Sequence, residues 1–267
     1  MWPIFTRALK DRRTLLLIYC LAGIGLLWMY IALFPSFSDQ QQNLEQLIKA
    51  YPESFLKAFN FDIKSFTTIE GFLSTEQFSF MWPILLIFIL IGFAGGALAG
   101  EVEKGTIETL LSQPVSRTEL FFSRYLAGVV MLILFVIFSI FAAIPIIEIY
   151  DISYKFENFF AVAYLGLLFG WAILSLGFLF SAIFSDKGKV SFITGGILVV
   201  MYVLNIIAAL KDNLADLKYA SFFYYFNASK ALIYNEIDQW SYVVFIGVAV
   251  VCTIVGAIWF SKRNIAA

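Results

Sequence analysis

Charged residues divide this chain into six long apolar runs, at about residues 14–34, 80–100, 121–147, 159–184, 190–210 and 241–260. Each is near the length of about 20 helical residues that crosses a bilayer core of about 30 Å. Backbone polar groups in lipid must be satisfied within the chain, so these runs predict helices. The predicted fold is all-α: a polytopic integral membrane protein, one transmembrane domain over 1–267 with six spans. The first run is too long for the core of a signal peptide and no small-residue cleavage site follows it, so it is read as a span.

The polar segments place those spans. Residues 185–189 separate spans four and five so closely that the two must form a tight antiparallel hairpin. Residues 35–79 form the longest loop, where Leu44, Leu47, Ile48 and Tyr51 recur at helical spacing before Pro52. Residues 211–240 carry Tyr219, Phe222, Phe223, Tyr224, Tyr225 and Phe226, too aromatic for a free loop and too short for another crossing, which predicts a dipping or re-entrant helix pair. At the start, Trp2, Ile4, Phe5 and Leu9 alternate with cations, predicting an interfacial helix over 1–13. With the N-terminus inside, Arg7, Lys10, Arg12, Arg13, Lys104, Arg117, Arg124, Lys187, Lys189, Lys262 and Arg263 are cytoplasmic, eleven of the eighteen basic residues. The bias of Lys and Arg toward the cytoplasm therefore predicts that both termini face inward and that 35–79 and 211–240 are extracytoplasmic. It also puts Trp28, Trp82 and Trp240 near the outer interface and Trp2 and Trp259 near the inner one, with Trp171 packing inside a span.

Composition narrows the chemistry. The 267 residues are 61% hydrophobic, 18% aromatic and 14% charged, which does not make a soluble surface. Eighteen basic residues against nineteen acidic ones give no patch for nucleic acid. Histidine is absent, which removes His-based acid–base catalysis, Ser-His triads and His-ligated metals. Cys20 and Cys252 fall within apolar runs and read as small embedded side chains, so no metal site or bound cofactor is expected in this chain. No span carries an ionisable group at mid-depth, Arg124 and Glu148 lying near the ends of span three, so an ion-coupled carrier or charged-ring channel is not legible. Energy for any transport must enter from elsewhere. Gly188 and Lys189 lack the earlier glycine of a phosphate-binding loop, so this chain is not expected to hold nucleotide. Gly92, Gly96 and Gly100 in span two, and Gly166 and Gly170 in span four, recur every four residues and predict close helix packing. Pro145 should kink span three near its outer end.

The most punctuated stretch follows span two and reads EVEKGTIETLLSQPVSRTE over 101–119. Gly105 breaks the end of the span and Thr106 caps a new short helix with Glu108 in its first turn. Ile107, Leu110 and Leu111 then share one side. Pro114 stops that helix after about two turns, and Ser116 with Glu119 forms a capping box that starts span three near Arg117, before the lipid. A plain connector needs none of these breaks, whereas a docking surface rigidly joined to two spans does. The other physical readings are a helix lying on lipid and, for Glu101 and Glu103, solvated charge at a span end.

The acidic residues, Gly105-Thr106, Glu108, Leu110-Leu111 and Pro114-Val115-Ser116-Arg117, placed after span two of a six-span chain, resemble the permease subunits of type-2 ABC transporters. The motif covers about twenty residues and the topology essentially the whole chain. The resemblance implies a coupling helix at 106–113 that seats in a groove of a separate nucleotide-binding subunit, with ATP and Mg held there. It also implies an interfacial helix before span one, short re-entrant helices between spans five and six, and a second permease copy or related permease as partner. Glu101, Glu103, Glu108 and Arg117 are then polar contacts to the ATPase, with Ile107, Leu110 and Leu111 as the apolar seat. The expected function is the membrane half of an ATP-driven exporter of amphiphilic or apolar cargo, surrounded by lipid in a bacterial inner or plasma membrane. Two other readings stand beside it: a non-transporting sensor or immunity subunit, and a membrane enzyme, for which Ser139, Ser175, Thr194 and Asn205 are too scattered to form a site.

Overall fold

In the computed structural model the structure describes residues 2–38, 67–108 and 115–264. Among these, six helices are long and apolar enough to cross a membrane, beginning at Trp2, Ile69, Arg117, Phe156, Lys187 and Gln239, and no strand occurs. The helical segment anticipated around Leu44 to Tyr51 lies outside the described residues.

Helix α1 (Trp2–Ser38) runs unbroken for 37 residues. The separate interfacial helix expected over 1–13 is therefore corrected: those residues are the first turns of span one. Between Pro3 and Gly23 there is no Gly or Pro to interrupt the ladder, and Ala8, Leu9, Arg12 and Leu15 all favour helix. At 1.5 Å per residue the helix is about 55 Å long, so part of it must project beyond the lipid.

Span two begins earlier than its hydrophobicity suggests. Thr68 accepts from the Gly71 N–H and caps α2 (Ile69–Leu73), which passes through a π-helical stretch (Ser74–Met81) into α3 (Trp82–Ala97). Residues 69–79, assigned to the long loop from their polarity, are thus helical. The helix breaks at Leu98 (φ −122°, ψ −56°) and resumes as α4 (Ala99–Glu103). Span three comprises α5 (Arg117–Phe141) and α6 (Ala143–Ile149), interrupted at Ala142. Pro145 explains the interruption, because its ring crowds the Phe141 carbonyl one turn back. Helix α7 (Phe156–Ile183) and α8 (Lys187–Leu210) form the tight hairpin, with Asp186 accepting from the Lys189 N–H as the cap of α8. A 3-10 segment (Asp212–Ala220) and the short helices α9 (Phe222–Tyr225) and α10 (Ala228–Tyr234) precede α11 (Gln239–Lys262).

Helix α7 is the centre of the bundle, packing on α3, α5, α10 and α11. Trp82 locks this centre. It is fully buried, its Nε1–H donates to Ser139 Oγ at 2.8 Å, and its ring lies 6.0 Å from and nearly parallel to that of Phe226. Trp82, expected near the outer interface, is thus packed inside the bundle, where its indole N–H has a protein acceptor. Trp28 and Trp240 are exposed, and Trp171 packs inside the bundle with its Nε1–H on Tyr125 Oη at 2.7 Å. Tyr125 Oη also receives Thr253 Oγ1 at 2.9 Å and lies 2.7 Å from Ser175 Oγ, so one phenol ties α5, α7 and α11 together.

Candidate functional site

The described residues singled out in 101–119 lie at the end of the bundle that carries the N-terminus, where Ala8, Asp11 and Arg12 line one cleft with Glu101 and Glu103. Lys104 ends α4, and Gly105 follows with φ +70°, a left-handed conformation that suits a residue without Cβ. Thr106 turns back on the span it follows: its hydroxyl hydrogen-bonds the Glu101 carboxylate and also donates to the Glu101 carbonyl at 3.3 Å. Helical geometry resumes at Ile107 and Glu108, with Ile107 buried and Glu108 exposed. Leu110, Leu111 and Pro114 lie outside the described residues. The chain re-enters at Ser116, where the capping box forms: the Ser116 side chain accepts from the Glu119 N–H at 3.1 Å and the Glu119 carboxylate accepts from the Ser116 N–H at 2.9 Å.

Each acidic residue that reads as surface charge in the sequence has a partner on another span. Glu101 forms an ion pair with Arg124 of α5, Oε1 to Nη1 at 2.9 Å, with the two side chains 23% and 11% exposed. Glu103 accepts from the backbone N–H of Lys187, the first residue of α8, at 2.9 Å. Arg117 reaches the carbonyl of Arg263 after α11. Arg263 in turn donates to the carbonyls of Ala182 and Phe184 at 3.0 and 2.9 Å, closing the α7–α8 turn. Partial burial lowers the Arg263 guanidinium from its ordinary value without discharging it. Ser181 on α7 accepts from the N–H groups of Leu98 and Ala99 at 3.3 and 3.0 Å, satisfying the backbone that the break in span two releases. The segment is therefore fastened to spans three, four, five and six.

Sequence reasoning missed Arg124 and Ser181 as partners. Arg124 carried a signal, as a cation two turns into span three that follows an apolar Leu120-Phe121-Phe122 run and has the acid Glu101 at the end of span two to meet it. Ser181 carried none, because a serine in the last turn of an apolar helix usually bonds its own backbone. Ser139, Ser175 and Thr194 do so here, donating to the carbonyls of Phe135, Trp171 and Val190 at 2.6, 2.8 and 2.8 Å.

The glycines divide into three environments. Gly166 faces the Trp82 ring and Gly170 the side chains of Leu132 and Leu86, both from neighbouring spans. Gly96 lies under the Arg12 guanidinium, and Gly100 lies near the Gly95 carbonyl and the Lys187 Cβ. A Cβ at Gly92 would meet nothing, because Gly92 lines an apolar cleft of about 650 Å³ between α3 and α8, walled by Phe80, Ile87, Phe88, Leu198 and Tyr202. Cys20 and Cys252 are free thiols.

A search of curated proteins finds no match to this chain. The family model described as ABC-2 family transporter protein matches residues 2–265, nearly the full length and therefore all six spans together with the segment between spans two and three. By fold and by that match, this multi-pass membrane protein belongs to the ABC-2 transporter family as a permease.

Proposed function

We propose that this chain is the membrane-spanning half of an ATP-driven exporter, worked by separate nucleotide-binding subunits that hold ATP and Mg. The N-terminal end of the bundle faces the cytoplasm, in a bacterial inner or plasma membrane, and the helix at 106–113 seats in the ATPase. Ile107, Leu110 and Leu111 form the apolar seat; Glu108 and Arg117 offer polar contacts to the partner.

The observation that carries this reading is the fastening of residues 101–106 and of Arg117 to other parts of the bundle. A push on Ile107 passes through Thr106 and Glu101 to Arg124 on span three, and through Glu103 to the first residue of span five. Glu101 and Glu103 thus act inside the permease, as levers rather than as contacts to the ATPase. Two permease copies, or this chain with a related one, then separate toward the outside. The apolar cleft beside α8 supports an amphiphilic or apolar cargo, since a water-soluble ion gains nothing from such walls. Affinity purification of the tagged chain from its own membrane is the test. An ATP-binding subunit is expected with the wild type and is lost in Leu110→Asp/Leu111→Asp, with membrane insertion intact. Equal recovery with that double variant contradicts the assignment.

A further inference from the structure

A second, polar cleft of about 450 Å³ opens at the same end of the bundle, between the first turns of α1, the end of span two and the starts of α5 and α8. Four cations line it, Arg12, Lys104, Arg124 and Lys187, against three acids, Asp11, Glu101 and Glu103. The acids are engaged. Glu101 holds Arg124 and Thr106, Glu103 holds the Lys187 backbone, and Asp11 lies 3.9 Å from Arg7 one turn back. Among the described residues Arg12, Lys104 and Lys187 have no acidic partner. Arg124, nine-tenths buried in the same wall, keeps its Nε–H without an acceptor.

Two glycines shape the seat. A Cβ at Gly96 would collide with the Arg12 guanidinium, and one at Gly95 would sit 3.2 Å from Lys187 Cγ. Both cationic side chains therefore lie directly on the backbone of span two, where apolar helix gives way to the polar layer of Glu101 and Glu103. Cations concentrated between helices at that depth, with their acidic neighbours already committed, suit a ligand that brings negative oxygens at the membrane surface. We propose that this cleft binds the phosphate of an anionic lipid headgroup, with Arg12 and Lys187 as its ligands. The chemistry recognised is a phosphate oxyanion. A lipid is favoured over a soluble phosphate because Lys187 also lines the apolar cleft between α3 and α8, so the seat adjoins walls that suit an acyl chain.

This inference takes from the permease reading only the leaflet that supplies the lipid. Binding is read on the permease alone, so its outcome is independent of whether an ATPase is captured. The full chain, purified in detergent, is mixed with phosphatidylglycerol or phosphatidylcholine and followed by native mass spectrometry. Phosphatidylglycerol should be retained over phosphatidylcholine, and should persist in millimolar inorganic phosphate. Retention should fall about fivefold for each cation removed in R12Q and K187Q. K10Q/R13Q, which removes two charges from the same helix outside the cleft, should retain lipid as the wild type does. Gly96→Ala, which displaces the guanidinium and changes no charge, should also lose retention and carries the test if the charge variants misfold. Equal retention by wild type and R12Q/K187Q, or by wild type and Gly96→Ala, overturns the site. So does equal loss in K10Q/R13Q, which reduces the effect to bulk charge. Displacement by inorganic phosphate alone overturns the lipid as the source.

Discussion

Arg124 is the residue on which the site turns, because its guanidinium and the Glu101 carboxylate are held in a partly buried pair that neither side chain leaves cheaply. Removing one member strands the other, at a cost of about 2 kcal/mol for a charged hydrogen bond at this burial. Arg124→Ala and Glu101→Ala should each lower the thermal midpoint of the purified chain, and the double variant should lose less than the two single losses combined. Additive losses would mean that the pair carries no coupling. Gly166 makes the complementary case for packing. An added Cβ there stands 2.6 Å from the ring of the fully buried Trp82. Gly166→Ala should destabilise by about 1–3 kcal/mol, as overpacking of a tight core does, measured by the same thermal midpoint. A neutral result would show that the indole can shift, against its hydrogen bond to Ser139.

At the scale of elements, the segment after span two is a helix taken apart at defined points. The break at Leu98 frees two buried N–H groups, and Ser181 accepts both. Ser181→Ala should leave them unsatisfied at about 1–3 kcal/mol, and hydrogen exchange should rise over residues 98–103 before it rises elsewhere in span two. Exchange unchanged there would show that the break does not depend on Ser181. The capping box at Ser116 and Glu119 and the left-handed Gly105 were legible because both act within a few residues of chain. The break at Leu98 was not, since a partner 83 residues away satisfies it. The early start of span two was hidden for a similar reason. Glu70, Ser74 and Gln77 look like loop residues, yet they are buried: Glu70 accepts from the Lys155 N–H at 2.6 Å, and Ser74 lies 3.3 Å from Ser229 on α10.

For the whole molecule, six crossings and their order followed from hydrophobic length alone, because lipid leaves the backbone few alternatives to a helix. The merging of the N-terminal turns into α1 was less visible: amphipathic alternation marks a face for the interface but does not supply a break. Helix α8 buries only Val190, Thr194, Leu198 and Ala208, and together with α3 it leaves the apolar cleft open on the bundle's side. Replacing Phe88 or Leu198 in that cleft with Glu should reduce export while leaving capture of the ATPase intact, since neither takes part in the bonds that hold residues 101–106 and Arg117. Loss of both together would mean that the cleft wall is structural.

The central claim is that work done by a separate ATPase enters this bundle through residues 101–117. Its most direct measurement is ATP-driven uptake of a fluorescent amphiphile into inverted vesicles containing the chain and its copurified ATPase. Uptake should require both proteins and ATP, and should vanish with Leu110→Asp/Leu111→Asp while the vesicles hold normal amounts of the permease. Uptake by the chain alone, or undiminished uptake with that variant, would contradict the account.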